Sequence, residues 1–419
     1  MKADGKKIII IGGGASGLMA AIAAGRCGAS VTVLEAMKKP GRKLLLTGNG
    51  RCNLTNLDPE LASRYRSAAD GGFCAASRAE PVIRQFPAAD TLRFFEEIGV
   101  AARAQDELVY PCSGQASTVL EALLAEAERL NVTLKYNSKV TALSRDDRKG
   151  SYLVKVGDWT YEAGRVVLCC GSKAAPATGS DGSGYALARA LGHTVTEIVP
   201  ALTGFICRDA KLRTASGART RARAQLYSRD GALLADETGE IQWTDYGISG
   251  IAVFQLSRYA KALSAGDEMT VRLDLVPDRS EESVIAALGK MEAHMGMSSP
   301  LCEADRRKLL SGFVHDRVAA FLCAGSPNAR TGSGLAGLLK NVSLTVSGLR
   351  GYEHAQLCAG GIPLRETDPE TLESRISPGL FFAGEMLDVD GPCGGYNLQW
   401  AWSSGCAAGR AAAHSAGFN

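Results

Sequence analysis

The segment Gly12-Gly13-Gly14-Ala15-Ser16-Gly17 constrains this chain more than any other. It satisfies GxGxxG, and its setting gives that spacing its force. A β-branched run at 7–11 precedes it, a small-residue helix is expected over 18–27, and a second strand over 30–34 ends at Glu35. Gly12 permits the tight turn, Gly14 lets the backbone approach a pyrophosphate, and Gly17 lets helix and strand pack closely. The helix start at Ala15 and Ser16 presents free N–H groups to phosphate. A carboxylate at Glu35 accepts hydrogen bonds from both ribose hydroxyls and repels a 2′-phosphate, which leaves FAD or NAD rather than NADP.

The rest of the composition bounds the answer without choosing it. A chain of 419 residues has room for two or three domains. With 22% charged residues and a net charge of +3, nothing general points to a nucleic acid or a membrane surface. The twelve cysteines are scattered without a CxxC pair, and Cys169-Cys170 falls in an apolar run. That pattern argues against a disulfide framework and against zinc, and for a reduced, cytoplasmic protein. Lys2, Lys6 and Lys7 imitate the start of a secretory signal, but glycines interrupt the apolar stretch after Ile11. No run approaches the roughly 18 apolar residues of a membrane span. A soluble protein without a targeting segment is expected.

The next segment, Gly41-Arg42-Lys43-Leu44-Leu45-Leu46-Thr47-Gly48-Asn49-Gly50-Arg51-Cys52-Asn53-Leu54-Thr55-Asn56, resembles the signature of the BaiN/YhiN-like flavoproteins, a bacterial family of NAD(P)/FAD-dependent oxidoreductases. Residues 379–391 are similar to that family's second flavin motif, and 394–401 continue it. Segments 178–184 and 246–250 are also similar, so the resemblance spans nearly the whole chain. It implies non-covalent FAD. The N-terminal contacts expected are Gly12, Gly13, Gly14, Ala15, Ser16, Gly17, Glu35 and Ala36, followed by Arg42, Lys43, Gly50, Arg51 and Cys52. Val140 and Gly171 are expected to join them, with Gly384, Glu385, Gly395, Asn397 and Leu398 from the C-terminal motif. Glu385 ends a short apolar strand at 380–383, where an acid, more often Asp, binds a ribityl hydroxyl. Gly394-Gly395 opens a helix over 397–413 whose amides can stabilise charge on the flavin N1/C2 edge. Cys52 lacks a CxxC companion and is expected to be a packed thiol.

The fold class that follows is α/β, a Rossmann-like FAD-binding domain of the two-dinucleotide-binding-domain flavoprotein type. Residues 1–193 and 335–419 form it discontinuously, with a β-rich insert at 194–279 and a helical subdomain at 280–334. A helix is expected over 120–129, a core strand over 165–170 and a helix over 183–191. Insert strands are expected at 202–207, 223–227, 251–254 and 269–275. Arg208, Lys211, Arg213, Arg219, Arg221, Arg223 and Arg229 gather in this insert. They are either a solvated strand face or an anion site. A second nucleotide fingerprint is missing, so NAD(P)H would act only as a transient electron donor.

The family resemblance implies reduction of a conjugated C=C bond in an apolar carbonyl compound, such as a 3-oxo bile acid, with or without a carboxylate. Such a step needs a proton donor, and Tyr246 and Tyr396 are candidates because each stands beside a glycine-rich turn. Two other readings stay open: an amine or aminoketone oxidase using O2, and a flavin-bearing RNA-binding or RNA-modifying protein.

Overall fold

Ile8–Ile11 is apolar at every position and buried throughout, which places it in the interior of a sheet rather than at an edge. In the computed structural model it pairs in parallel with Val31–Leu34 on one side and Arg165–Leu168 on the other. Thr133–Lys135 and Leu380–Phe382 extend the two flanks, giving five parallel strands. The chain order runs outward in both directions from Ile8–Ile11, so a switch point lies at that strand's carboxyl end. The structure describes residues 7–69, 76–261, 263 and 266–418; Lys2 and Lys6 fall outside them.

The two ends of the chain meet across two helices. Ala15–Arg26 is rich in alanine and glycine, and Tyr396–Ser415 presents Gly405 and Gly409 to it. A Cβ on Gly409 would stand 2.3 Å from the Ala20 carbonyl oxygen, so only glycine allows this approach. Small residues on both helices thus bring the C-terminal motif against the N-terminal loop. A three-stranded antiparallel sheet, Val140–Asp146, Ser151–Val156 and Trp159–Ala163, adds to this unit and has no counterpart in the sequence expectations.

The chain divides into two compact units, Met1–Val199 with Leu357–Asn419, and Pro200–Gln356. The second unit is a closed six-stranded barrel with helices packed on it. Its strands are Phe205–Cys207, Arg219–Tyr227, Leu233–Trp243, Gly247–Ser249, Met269–Asp274 and Val342–Leu349. Three expectations change here. Residues 335–356 belong to the barrel unit, because Val342–Leu349 closes the barrel between Met269–Asp274 and Phe205–Cys207. Residues 280–334 form no separate subdomain: Val284, Leu288, Leu309 and Phe321 share one core with the strands, and Phe321 meets Trp243 at 5.4 Å. Residues 251–254 are helical, not extended. Ile251–Ser257 buries Ala252, Val253 and Leu256 at helical spacing and leaves Ile251 in solvent, which overrides the β-branched composition.

The arginine run lies along Arg219–Tyr227 with alternating exposed and buried residues, as one barrel strand requires. No described helix is long and apolar enough to cross a membrane.

Candidate dinucleotide site

The first unit concentrates the candidate residues at the switch point. Gly12 sits at φ +105°, and a Cβ there would be 2.4 Å from the Cys169 carbonyl oxygen. Gly17 lies against Gly12 so closely that its Cβ would be 1.9 Å from the Gly12 oxygen. Gly14 differs: nothing stands within 4 Å of the place a Cβ would take, and it precedes Ala15–Arg26 without a side-chain cap. A helix N-terminus with open space in front of it is what a phosphate needs.

Glu35 fixes the loop from the next strand. Its Oε2 accepts from the Gly13 N–H at 2.7 Å and its Oε1 from the Met37 N–H at 2.7 Å. Each oxygen keeps a further lone pair for a ribose hydroxyl. The glycine-rich segment 178–184 comes to the same place, with Gly179 packed on Met37 beside Glu35. Lys139 bonds Asp181 at 2.7 Å there. Burial works against Asp181's charge, but the bonds from Lys139 and Ser183 outweigh it and hold the carboxyl down at about 2.

Further along, Glu385 follows the strand Leu380–Phe382 and is half-buried in a polar clamp. Lys43 Nζ donates to both its oxygens at 2.9 and 2.7 Å, and Ser172 Oγ donates to Oε2 at 2.6 Å. Gly384 is held by Ser404 and Trp400, whose side chains bond its N–H and carbonyl at 2.9 and 3.1 Å. Gly171 joins the strand Arg165–Leu168 to Ser172.

At the far end, Gly395 caps Tyr396–Ser415 at φ +94°, and a Cβ there would press to 2.4 Å from the Thr55 oxygen. Asn397 closes the preceding turn, accepting from the Gly391 N–H at 2.8 Å and donating to the carbonyls of Gly391 and Pro392. Leu398 packs on the core, and Val140 is buried at the start of its strand. Arg42 is exposed, and Ala36 is half-buried beside Glu35. Arg51 follows Gly50 and lays its guanidinium 4.5 Å over the Tyr110 ring. Cys52 is fully buried, and burial pushes its thiol up to about 12, which makes it an inert packing group at neutral pH.

Tyr396 has its proton committed. Its Oη donates to Asp58 Oδ2 at 2.9 Å, and Arg64 pairs the same oxygen at 2.8 Å. Burial and the Asp58 charge together push the Tyr396 phenol well above its ordinary range. Tyr246 lies in the barrel unit, where Arg350 stacks on its ring at 4.2 Å.

Sequence reasoning passed over Ser172, Asp58, Tyr65 and Asn53. Asn53 stood in plain view within the 41–56 motif. Its Oδ1 is buried without a hydrogen-bond partner among the described residues, close to Gly395. Glu35 at the adenosine end, open space before Gly14 where a pyrophosphate would lie, and Glu385 and the orphaned Asn53 acceptor beyond it fit an extended dinucleotide.

The fold and its glycine loop define a dinucleotide-binding protein of the Rossmann class. The chain belongs to the family described as HI0933-like protein Rossmann domain, whose model matches residues 6–411. The resemblance read from the 41–56 and 379–401 motifs is thereby borne out. The chain is 41% identical over 421 residues to a 3-dehydro-bile acid delta(4,6)-reductase of Clostridium scindens, covering 97% of this chain and 99% of that protein. It is 28% identical over 396 residues to a ribosomal RNA dihydrouridine synthase of Escherichia coli K12, covering 94% of this chain and 95% of that one. Among solved structures, 3-ketosteroid delta1-dehydrogenase from Sterolibacterium denitrificans matches with a TM-score of 0.55 and 12% identity, covering 98% of this chain and 100% of that one. That likeness is one of fold.

Proposed function

We propose that this protein is an FAD-dependent reductase of a C=C bond conjugated to a carbonyl, acting on an apolar 3-oxo bile acid or steroid with NAD(P)H as electron donor. The observation that carries the reading is the near-full-length, 41% identity to a protein named for that reaction. The site geometry supports it: Gly12–Gly17 and Glu35 suit the adenosine diphosphate half, and Lys43, Ser172 and Glu385 suit the ribityl chain. Bound FAD would supply the hydride chemistry. The chain's own residues would hold it: Glu35 and Glu385 would accept hydrogen bonds from its hydroxyls, and the N-terminus of Tyr396–Ser415 would favour negative charge on the flavin.

Reduction of an enone also needs a proton at the α-carbon. Of the two candidate tyrosines, Tyr396 already donates its hydrogen bond to Asp58, which leaves Tyr246 as the candidate donor.

A second reading, action on RNA, draws on the 28% relative. Uridine also carries a C=C bond conjugated to a carbonyl, so the two relatives' names describe related chemistry on different substrates. The barrel's arginine strand argues against RNA here. Arg219 pairs with Glu240 at 2.8 Å, Arg223 with Asp236 at 2.5 Å, Arg221 with Asp278 and Arg208 with Glu268, so each of these guanidinium groups stands beside a carboxylate that would repel a phosphate. The test is mass spectrometry of a 3-oxo-Δ4 bile acid incubated with the holoprotein and NADH or NADPH. Gain of two hydrogens supports the proposal. An unchanged enone beside an RNA substrate that gains them would replace it.

A further inference from the structure

A cavity of the first unit, lined by none of the dinucleotide-site residues, carries an unbalanced charge on its walls. It has a volume of about 200 Å³ and lies where the helix Ala76–Gln85 meets the segment 364–375. Arg78 lines it from the helix, and Arg365 and Arg375 line it from the segment. Leu364, Thr367 and Pro369 complete its described walls, and no described carboxylate is among them. All three arginines reach solvent, so a ligand has a way in. The barrel's Arg221 differs, because Asp278 pairs with it.

The segment holds its arginines in a short antiparallel return. The Arg375 N–H donates to the Glu366 oxygen at 2.9 Å, and Thr367 bridges Ser374. Glu366 pins the base, its carboxylate meeting His193 Nδ1 at 2.9 Å and accepting from the Thr194 N–H at 3.1 Å. Gln85 Nε2 donates to the Glu370 oxygen at 2.8 Å and so ties the helix to the return. Arg375 Nε donates to the Thr367 oxygen at 2.8 Å, and its terminal nitrogens make no hydrogen bond among the described residues. The Arg365 guanidinium makes no hydrogen bond or ion pair among them either. Neighbouring carboxylates are engaged elsewhere. Asp368 Oδ1 accepts from the Glu370 and Thr371 N–H groups and the Thr371 hydroxyl, and Glu373 accepts from the Gly379 N–H.

We propose that Arg78, Arg365 and Arg375 form a binding site for a phosphate dianion, either inorganic or carried on a phosphomonoester. Three cations around so small a space repel one another, and a dianion relieves more of that repulsion than a single carboxylate does. Guanidinium forks donate parallel pairs of hydrogen bonds, and a tetrahedral phosphate has oxygens enough to accept from several forks at once. The volume is several times the ~30 Å³ of a water molecule, yet below the roughly 300–1,000 Å³ of sites that take in a whole cofactor. It therefore suits an ion, or the phosphate end of a longer molecule. Bound there, the phosphate would join two distant stretches of chain. Nothing in this site depends on the enone-reductase reading.

The test is isothermal titration calorimetry of inorganic phosphate into the flavin-loaded full chain in chloride buffer. A Kd of about 0.1–1 mM is expected, as for a small ion held by a few charged hydrogen bonds. Arg365→Gln and Arg375→Gln should each raise it by at least about 10-fold, with flavin content unchanged. Arg365→Lys keeps the charge and loses the fork, so it should fall between; it also serves if a glutamine variant does not fold. Competition with nicotinamide nucleotides identifies the source. Displacement of phosphate by NADP+, which carries a 2′-phosphomonoester, and not by NAD+ supports the site and assigns it to a nucleotide phosphate. Displacement by neither supports it as a site for the free ion. Displacement by NAD+ as well would put the phosphate on the Gly14 loop and overturn the proposal. So would the absence of heat beyond the chloride control, an unchanged Kd in both glutamine variants, or equal competition by acetate.

Discussion

The Lys43–Glu385 clamp of the first unit and the arginine strand of the barrel set their charges in opposite ways. In the first, Lys43 and Glu385 are half-buried and joined across 342 positions, and buried Asp58 accepts from Tyr396, 338 positions away, as well as from its near neighbour Arg64. In the barrel, Arg219, Arg221 and Arg223 stand in solvent and pair with carboxylates just as exposed or nearly so. Water screens the second set and shares its work, whereas the first set has few other partners. A cluster of charge in the sequence is therefore a poor guide to function, and a single lysine packed against a distant glutamate is a better one.

Substitutions that break this contrast should differ in size accordingly. Gly17→Ala has the largest expected effect, because its Cβ would stand 1.9 Å from the Gly12 oxygen and must open the phosphate loop. Purified protein should carry almost no flavin, as read from its absorbance. Lys43→Ala comes next. Removing a charged donor from Glu385 costs about 1.5–3 kcal/mol, or roughly 10- to 100-fold in the Kd for FAD measured by fluorescence quenching.

A pH effect sharpens the picture at the adenosine end. Asp181 ionises at about 2 in the folded chain against an ordinary 3.8, so the unfolded chain binds its proton first as pH falls. Its stabilisation is complete above the unfolded value and is lost as pH drops from about 3.8 towards about 2. Thermal unfolding of Asp181→Asn should lack that part of the acid-side decline. Smallest is Arg221→Gln, whose exposed pair should be worth no more than about 0.5 kcal/mol in chemical denaturation, with turnover unchanged. A loss of turnover with Arg221→Gln as large as that with Lys43→Ala would erase the distinction between the units.

What the sequence reveals follows the range of the interaction. The strand, glycine loop, helix and Glu35 are consecutive, and their geometry is dictated by neighbours, so they are legible one after another. Alternation in 219–227 likewise shows one outward face. The carboxylates that neutralise that face are invisible, because Glu240 and Asp236 come from the adjacent strand and Asp278 from a later loop. Lys43 and Glu385 are each marked by a motif, yet their contact joins residues 342 positions apart. Asp58, 338 positions from Tyr396, carries no local signal, and its bond is what takes the Tyr396 proton out of consideration. Residues 251–254 mislead for the complementary reason: their β-branched composition favours a strand, but burial of Ala252, Val253 and Leu256 in the barrel core is satisfied by a helix.

The most direct test of the account is anaerobic mixing of the photoreduced holoprotein with a 3-oxo-Δ4 bile acid. The prediction is return of the oxidised flavin band near ~450 nm, with formation of one saturated product per flavin. A reduced flavin that persists with the enone and reoxidises only when O2 is admitted would contradict it.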